Sequence, residues 1–309
     1  MSSARAAVII GDRRDTHVQA VLAALTDAGA PEPLVVDGPT LRDHGYSLTL
    51  DQLTVEADET SLVGGRGWLR RYAPTAWGLG SIAGSLDSAA RRSYLYLVGS
   101  ITRLGARQWL TSLSPLLAAE DRLVQLEACR ELGLPAPDTI VTSDGNVALE
   151  FFDGPFVVKP LAGGYYVTDH GKARAVFTSE IDRQELGSLD FAHAPFLAQR
   201  LVAAIAHFRI VTVGDQAWTA RLDAAGRPVD WRAQEEAHYS WEANPDPVTE
   251  KLALRLAQHL NVGYSSQDWV VGPDGPWFID LNPAGQWLFL PDSIALATTT
   301  AIAEFLAGP

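Results

Sequence analysis

The sequence predicts an α/β protein of two or three packed domains. A strand, a helix and a second strand open the chain, and apolar strands and amphipathic helices alternate after them. A length of 309 residues is enough to bury more than one core, and the apolar fraction of 47% is ordinary for a globular protein. We therefore expect a globular protein with more than one domain.

The first segment is typical of a parallel α/β unit. "AAVIIG" and "PLVVDG" are apolar strands, and "HVQAVLAALTDAGA" between them is a helix that ends at Gly29. The intervening turn, "GDRRDT", lacks a glycine-rich phosphate loop, which disfavours a dinucleotide-binding domain. Further on, "GWLRRYAP" places Arg70 and Arg71 at a strand end. We interpret this pair as a solvated or salt-bridged face, with a groove for an acidic ligand as the alternative.

The middle of the chain begins with a long helix in "SLDSAARRSYLYLVGSITRL". A loop, a helix that ends at Gly133 and a strand entered through Pro135 and Pro137 follow, which predicts a domain boundary near residue 115. "FVVKPLAGGYYVTDHG" and "APFLAQRLVAAIAHFRIVTVGDQAWTARLD" then predict two sets of strands.

The last third combines helices with a hairpin. "TEKLALRLAQHLNVG" is a helix for which Thr249 is the expected cap. "SSQDWVVGPDGPWFIDLNPAG" is a hairpin that turns at "PDG", and "DSIALATTTAIAEFLAG" is a C-terminal helix.

Charge and composition exclude several classes of partner. The net charge is −13, so the chain lacks the basic footprint of a nucleic-acid binder. No run of 18 apolar residues and no signal peptide is apparent, so we expect a cytoplasmic protein without a membrane partner. The single Cys129 lies in a helix, which predicts a core residue and excludes disulfides and thiolate metal sites.

The C-terminal hairpin carries the first candidate site. Asp268 lies near the start of one strand and Asp280 near the end of its partner, so antiparallel pairing brings their carboxylates together. Asn282 shares a strand face with Asp280, because side chains repeat every two residues. Mg²⁺ prefers such oxygen ligands and uses few carboxylates. The alternative is that the Asp-x-Asn-Pro stretch only initiates a turn and that Asp268 caps it.

Lysine is rare in this chain, and Lys159 follows three apolar residues of a strand. A buried ammonium group needs a partner, and a ligand phosphate is a suitable one. The following Gly163 and Gly164 would let the backbone approach that phosphate closely. The alternative is a strand lysine whose tip reaches solvent.

Two arginines on neighbouring strands complete the constellation. Arg209 is embedded in the β-branched run "FRIVTVG", and Arg221 lies in "WTARLD". We expect both to face one cleft, where their guanidinium groups would bind a phosphate or a carboxylate in bidentate fashion.

In their order along the chain, these motifs resemble those of ATP-grasp ligases. More narrowly, "EDRLVQLEACRELGLPAPDTIVTSD", "VVKPLAGG" and "DLNPAGQWLF" are similar to the ATP-grasp maturases of ribosomally made peptides, the graspetide synthetases or microviridin-type ligases. "GWLRRYAP" fits the pre-ATP-grasp domain of that group. The resemblance covers residues 6–307. It implies a parallel-sheet pre-ATP-grasp domain (1–115), a central or lid subdomain (116–196) and a C-terminal subdomain with the metal site (197–309), the nucleotide half being α+β.

The resemblance also implies roles for individual residues. Arg209 and Arg221 would be catalytic, and three residues would hold Mg²⁺, namely Asp268, Asp280 and Asn282. ATP would be bound by Arg122, Lys159, Gly163 and Gly164 and by the adenine hinge Gln199, Arg200, Leu201 and Val202.

The chain departs from the family pattern at several of these places. Arg122 stands where a lysine is typical, Arg200 and His207 where acidic residues are typical, Asp280 where glutamate is more usual and Ala284 where asparagine is common. These departures leave open a shifted nucleotide pose or a member with reduced activity.

The resemblance thus implies a ligase that uses ATP and Mg²⁺, activates a carboxylate as an acyl-phosphate and joins it to an amine or hydroxyl. Its substrate would be a precursor peptide with leader and core, in which Asp or Glu side chains are joined to Lys, Ser or Thr as a macrocycle. A homo-oligomer is compatible with the resemblance. Two alternatives remain: a ligase for a small amino acid or dipeptide, and a non-catalytic ATP-grasp-like protein that binds peptides.

Overall fold

The computed structural model describes ten stretches of the chain, namely residues 7–36, 54–55, 60–61, 65–73, 84–104, 107–161, 165–167, 173–175, 179–180 and 194–308. Three sheets of four or five strands and two short hairpins lie among these residues. Helices pack against the larger sheets, so the predicted α/β class is confirmed. The predicted phosphate-loop residues Gly163 and Gly164 lie outside the described stretches.

The first sheet is parallel and has the strand order β2-β1-β5-β6. Its strands are β1 (Val8–Ile10), β2 (Leu34–Val36), β5 (Arg66–Leu69) and β6 (Gln108–Trp109), and a separate hairpin contains β3 (Thr54–Val55) and β4 (Thr60–Ser61). Its helices are α1 (Thr16–Asp27) and α2 (Leu86–Arg103). The side chain of Asp15 caps α1 by accepting from the His17 N–H, which stabilises the helix start.

The second sheet is antiparallel and has the order β11-β8-β12-β7. Its strands are β7 (Thr139–Thr142), β8 (Phe156–Pro160), β11 (Ser179–Glu180) and β12 (Phe196–Arg200), and a separate hairpin contains β9 (Tyr165–Val167) and β10 (Ala173–Ala175). Helix α5 (Gly145–Phe151) packs on this sheet, and α3 (Leu113–Ala119) and α4 (Arg122–Leu132) precede it in the chain. Helix α4 ends at Gly133 with φ of 62°, as the sequence predicts.

The third sheet is antiparallel and has the order β15-β14-β13-β16-β17. Its strands are β13 (Ala206–Val213), β14 (Gln216–Asp223), β15 (Glu242–Ala243), β16 (Tyr264–Gly272) and β17 (Gly275–Asn282), and its helices are α6 (Pro247–His259) and α7 (Asp292–Ala307). The hairpin turns at "PDG", as predicted. Thr249 is not the cap of α6: the Asp246 side chain accepts from the Thr249 N–H at 2.9 Å, and Pro247 occupies the first turn.

The two faces of the third sheet belong to different cores. One face packs with β1, α1 and α7 through residues such as Ile9, Val18, Val211 and Ile302. The other face packs against α4 and α6, and we call its residues the helix-side core: Phe208, Ile210, Trp269, Phe278 and Leu281, among others. The domain boundaries at 115 and 196 stay predictions. No helix in the described stretches is both long and apolar enough to cross a membrane.

Candidate active site

A cleft of about 230 Å³ is lined by residues of both the second and the third sheet. Strands β8 and β12 contribute Lys159 and Gln199, and β13 and β16 contribute His207 and Asp268. The segment 224–232, which follows β14, also contributes to the lining. The cleft thus brings together side chains from distant parts of the sequence.

The predicted oxygen donors meet at one end of the β16–β17 hairpin. Asp268 and Asp280 are direct partners in the ladder, and Asn282 is opposite Ser266 two pairs further on. The register shifts after Asp268, so that Trp269 is opposite Phe278. This bulge lets both aspartates share the face that Arg209 occupies, while the aromatic pair enters the helix-side core.

The two carboxylates differ in charge environment. Burial opposes ionisation of Asp268, but Arg209 and Arg232 outweigh it and lower the pKa of Asp268. Arg209 Nη1 lies 2.6 Å from Asp268 Oδ1. Burial raises the pKa of Asp280, and the nearby Asp268 adds to this effect, whereas Arg122 only partly offsets it. The positive charge of the surrounding side chains is therefore too small to compensate for the burial of the Asp280 carboxylate.

These donors fit a small hard cation. Neither three carboxylates nor a histidine cluster is gathered at one point in the described part of the chain. The set is instead two carboxylates and the Asn282 amide oxygen, which accepts from the Ala284 N–H at 2.9 Å. Mg²⁺ commonly uses one or two carboxylates and completes its shell with water and substrate phosphates, whereas zinc sites favour Cys and His. The residues therefore fit Mg²⁺.

Lys159 is buried, with 8% of its surface exposed, so the alternative of a solvent-reaching lysine is wrong. Its Nζ donates to Gln199 Oε1 at 2.8 Å, and Gln199 Nε2 donates to the Thr139 hydroxyl at 3.0 Å. Burial lowers the pKa of Lys159 to about 8, although the charge of Asp280 opposes this shift. A buried ammonium group held by a neutral amide remains available to an anionic ligand.

The predicted hinge residues Gln199, Arg200, Leu201 and Val202 all line the cleft. Backbone bonds fix the hinge, since Arg200 N donates to Asp138 O at 2.9 Å and Leu201 N to Pro155 O at 3.0 Å. The Arg200 guanidinium lies over the Trp277 ring at 4.8 Å and near Asp138. This stacking gives the hinge arginine a structural partner on β17.

Arg122 is the first residue of α4 and connects two strands of the site. Its Nη1 donates to Pro160 O at 2.7 Å, and its Nε lies 3.4 Å from Asp280 Oδ1. The predicted nucleotide contact is thus an arginine already engaged at the end of β8 and at Asp280. Of the three cationic side chains that lower the pKa of Asp280, Arg122 has the largest effect, ahead of Lys159 and Arg232.

The prediction that Arg209 and Arg221 face the same cleft is wrong. Arg209 is paired with Ala220 and Asp268 in the ladders, whereas Arg221 is paired with Phe208 and Glu242. Because directly paired residues share a face, Arg221 lies on the side of the helix-side core. Arg209 Nε is buried and has no hydrogen-bond partner in the structure as described, so this guanidinium retains a free donor.

Sequence reasoning missed Arg232. Arg232 lines the cleft, and its Nε lies 2.8 Å from Asp230 Oδ1. Burial would lower the pKa of Arg232, but the charges of Asp268 and Asp230 outweigh burial and raise it. Asp230 caps a short 3₁₀ turn, Trp231–Ala233. No periodic pattern marks such a turn, and the only signal is an aspartate directly before an apolar residue and an arginine.

His207, one of the departures from the family pattern, is buried in the cleft. Burial lowers its pKa, and the charge of Asp268 only partly opposes the shift. His207 is therefore neutral near pH 7, unlike the acidic residue typical of this position.

Comparison with solved structures identifies the architecture. The chain matches a RiPP-associated ATP-grasp ligase from Chryseobacterium gregarium, solved in complex with ADP and a leader and core peptide, with a TM-score of 0.82 at 20% identity over 99% of this chain and 98% of that chain. The chain has the ATP-grasp fold. It also matches the macrocyclase MdnC from Microcystis aeruginosa, bound with precursor peptide MdnA, with a TM-score of 0.81 at 21% identity over 97% of this chain and 99% of that chain.

A third ATP-grasp match is the ligase PsnB, complexed with a minimal precursor, Mg and ADP, with a TM-score of 0.75 at 20% identity over 97% of this chain and 98% of that chain. No family model matches the chain, and no curated protein is significantly similar to it in sequence. The fold predicted from the sequence motifs is confirmed over nearly the whole chain.

Proposed function

We propose that this protein is an ATP- and Mg²⁺-dependent ligase that forms an amide or ester bond within a ribosomally made precursor peptide and thereby closes a macrocycle. The observation that carries the proposal is one cleft in an ATP-grasp fold that the buried Lys159 and Asp268 both line, with Asp280 as the ladder partner of Asp268. Their charges are close enough that Asp280 affects the pKa of Lys159.

The nucleotide would lie between the second and third sheets. Its base would contact the hinge residues 199–202, and Lys159, already oriented by Gln199, would neutralise its phosphates. Asp268, Asp280 and Asn282 would hold Mg²⁺, which when bound supplies positive charge beside the phosphates. The departures at Arg122 and Arg200 keep this arrangement, because both arginines are engaged by neighbouring residues.

The substrate carboxylate would attack the γ-phosphorus of ATP, which forms an acyl-phosphate and releases ADP. An amine or hydroxyl then attacks the acyl carbon, phosphate leaves, and the nucleophile loses its proton to give an amide or ester. Arg209, with its unpaired Nε, and Arg232 would neutralise the charge on the transferred group. Positioning of the two reacting groups supplies the rest of the rate.

The peptides bound in similar solved structures support a peptide substrate for this protein. The ATP-grasp structures named above hold leader, core or precursor peptides. We infer that Asp or Glu side chains of such a peptide are joined to Lys, Ser or Thr. The arginine-rich cleft in a chain of net charge −13 would attract an acidic core peptide. We further propose a cytoplasmic protein without nucleic-acid or membrane partners, with a homo-oligomer compatible with the fold.

The test is incubation of the purified protein with ATP, Mg²⁺ and a neighbouring-gene peptide rich in Asp/Glu and Thr/Ser/Lys, followed by mass spectrometry and an ADP assay. We expect ATP-dependent loss of one water per ring. ADP release with small amino acids, without change of the peptide, would instead establish a small-molecule ligase. No ADP under any condition would leave a non-catalytic binding protein.

A further inference from the structure

The turn that follows β17 orients one of the proposed metal ligands. Within this turn, residues 283–287, the Ala284 N–H donates to Asn282 Oδ1 at 2.9 Å and the Gly285 N–H donates to Asn282 O at 3.3 Å. The direction of the Asn282 amide therefore depends on the conformation of the turn. Whatever fixes the turn also fixes this oxygen donor.

Residues of the first sheet hold the turn from one side. Arg70, at the end of β5, is 1% exposed and donates from Nη1 to the carbonyls of Ala284 and Gly285, the latter at 3.1 Å. Its guanidinium lies 5.6 Å from the centre of the Trp287 ring. One guanidinium thus donates hydrogen bonds to two successive carbonyls of a turn that lies more than 200 residues away in sequence.

The start of α1 provides a second contact. The Trp287 N–H donates to His17 Nε2 at 3.2 Å, and the two rings pack edge to face at 4.5 Å. Asp15 contacts both His17 and Arg70: its Oδ1 lies 3.1 Å from His17 Nδ1 and its Oδ2 lies 3.2 Å from Arg70 Nε. Because Nε2 accepts a hydrogen bond, His17 must be the neutral tautomer with its proton on Nδ1.

Strand β16 holds the turn from the opposite side. The Tyr264 hydroxyl donates to Gly285 O at 3.0 Å. A Cβ added at Gly285 would lie 2.5 Å from the Ser266 Cβ, so the turn packs directly on the strand that carries Asp268. The turn is therefore confined between β16 and the pair of elements α1 and β5.

Apolar side chains could hold such a turn without the desolvation cost of a buried charge. Arg70 pays the desolvation of a buried charge, which lowers its pKa, and its Nη2 atom has no hydrogen-bond partner among the residues described. A buried ion pair of this kind contributes little to stability compared with a well-packed apolar replacement. Its directional bonds to two carbonyls, in contrast, specify one conformation of the turn.

We propose that Asp15, His17 and Arg70 are positioning residues that hold the turn 283–287 and so orient the Asn282 amide as the third oxygen donor of the metal site. The parallel-sheet domain thereby completes a site whose ligands all lie in the C-terminal hairpin. This inference rests on the proposed function, because it assigns Asn282 to Mg²⁺.

The test is a titration of the protein–ADP complex with Mn²⁺ as a probe, followed by electron paramagnetic resonance, for the wild type, Arg70→Gln and Arg71→Gln. Outer contacts of metal ligands typically affect affinity by 10- to 100-fold, so we expect Arg70→Gln to weaken Mn²⁺ binding by about tenfold. Arg71 is the matched control: it neighbours Arg70 and pairs with Asp15 at 3.4 Å, but its side chain is 35% exposed. Arg71→Gln should retain wild-type Mn²⁺ affinity.

A folded Arg70→Gln protein with wild-type Mn²⁺ affinity would overturn the inference. Equal weakening in both variants would also overturn it, because the effect would then come from the loss of a positive charge and not from the bonds of Arg70 to the turn. Should Arg70→Gln fail to fold, Tyr264→Phe decides the question, since it deletes one bond to Gly285 O and keeps the ring. Weaker Mn²⁺ binding in that variant supports the inference, and unchanged binding refutes it.

The proposed function fails in a different way. If the wild type binds Mn²⁺ with ADP but forms no product, the proposed ligase activity is contradicted. The variants then still decide whether the positioning role holds. A wild type that does not bind Mn²⁺ at all would refute both.

Discussion

The two faces of the third sheet come from the same strands and serve different purposes. On β13, Phe208 and Ile210 enter the helix-side core, whereas His207, which lines the cleft, and Arg209, the ladder partner of Asp268, lie on the opposite face. On β16 and β17, Trp269 and Phe278 lie on one face and Asp268 and Asp280 on the other. The contrast teaches that alternation separates the proposed metal ligands from the helix-side core by a single residue, while Val211 on the ligand face belongs to the other core. Substitutions on the two faces should therefore have distinct consequences.

The largest effect is expected on the cleft face. Asp280→Ala removes a proposed metal ligand whose pKa is raised by burial, and it deletes no packing group of the helix-side core. We expect turnover to fall on the order of 10³-fold with the thermal midpoint retained. Product formation and thermal unfolding are measured on the same preparation. An unchanged ATPase rate would contradict the metal assignment.

The matching change on the opposite face is Phe278→Ala. Phe278 is fully buried and packs edge to face on Trp269 at 5.5 Å. Truncation should lower the free energy of unfolding by about 3–5 kcal/mol, through lost transfer energy and the cavity left behind. Denaturant unfolding measures this loss. If stability is unaffected and only turnover falls, the division between the two faces is broken.

Lys159→Met sharpens the assignment on the other side of the cleft. The substitution keeps the apolar stem but removes the buried ammonium group that Gln199 orients. We expect the ATP concentration for half-maximal activity to rise about 100-fold, because a charge aimed at phosphate is lost. Calorimetric titration with ADP provides a second measurement. A variant that is strongly destabilised, yet binds nucleotide normally while folded, would make Lys159 structural.

Lysine chemistry also gives a pH dependence. The pKa of Lys159 is lowered by burial to about 8, so one unit above that value about 10% of this side chain is charged, and ADP affinity should fall about tenfold between pH 7 and pH 9. Stability moves in the opposite sense. Between pH 8 and the ordinary lysine pKa the unfolded chain binds more protons, so the contribution of Lys159 to the free energy of unfolding rises with pH.

Lys159→Met should abolish both trends, and the difference between variant and wild type isolates them from other titrating groups. Nucleotide titrations and denaturant unfolding at matched pH values measure them. Parallel pH profiles in the two proteins would contradict the lowered pKa.

The smallest effect is expected at Arg221. This arginine lies on the face of the helix-side core opposite Glu242, away from Arg209. Arg221→Gln should change turnover by less than about twofold and stability by roughly 0.5 kcal/mol or less, because Arg221 is only partly buried and is not a member of the helix-side core. Steady-state kinetics beside Arg209→Gln make the comparison. A loss as large as that of Arg209→Gln would restore Arg221 to the catalytic residues.

Features that depend on residues close together in sequence could be predicted, and features that depend on the register between strands could not. The pairing of Asp268 with Asp280 was predictable because a hairpin is local and alternation fixes both faces. The face of Arg221 depends on the register between β13 and β14, which no residue type in "WTARLD" specifies. The cap of α6 was misassigned because Asp246 and Thr249 are both good caps, although Pro247 marks the first turn.

Burial was the hardest property to predict. The sequence predicts a solvated or salt-bridged Arg70; the salt bridge to Asp15 is present, but the side chain is buried by a turn 215 residues later. Lys159 is buried by its neighbour β12, and Arg232 reaches the cleft from an irregular segment without periodicity. Such environments are created by tertiary contacts, so local patterns contain no signal for them.

The packing of the last helix on the first has a consequence for biosynthesis. Helix α7 contacts α1, and its residues Ile294, Ile302 and Leu306 share one core with Ile9 and Val18. Protein domains generally fold from the N-terminus while synthesis continues. Here the apolar side of the first α/β unit acquires its final partner only when residues 292–307 have been synthesised. The parallel sheet must therefore complete its packing after about 270 further residues have followed β1 and α1 from the ribosome.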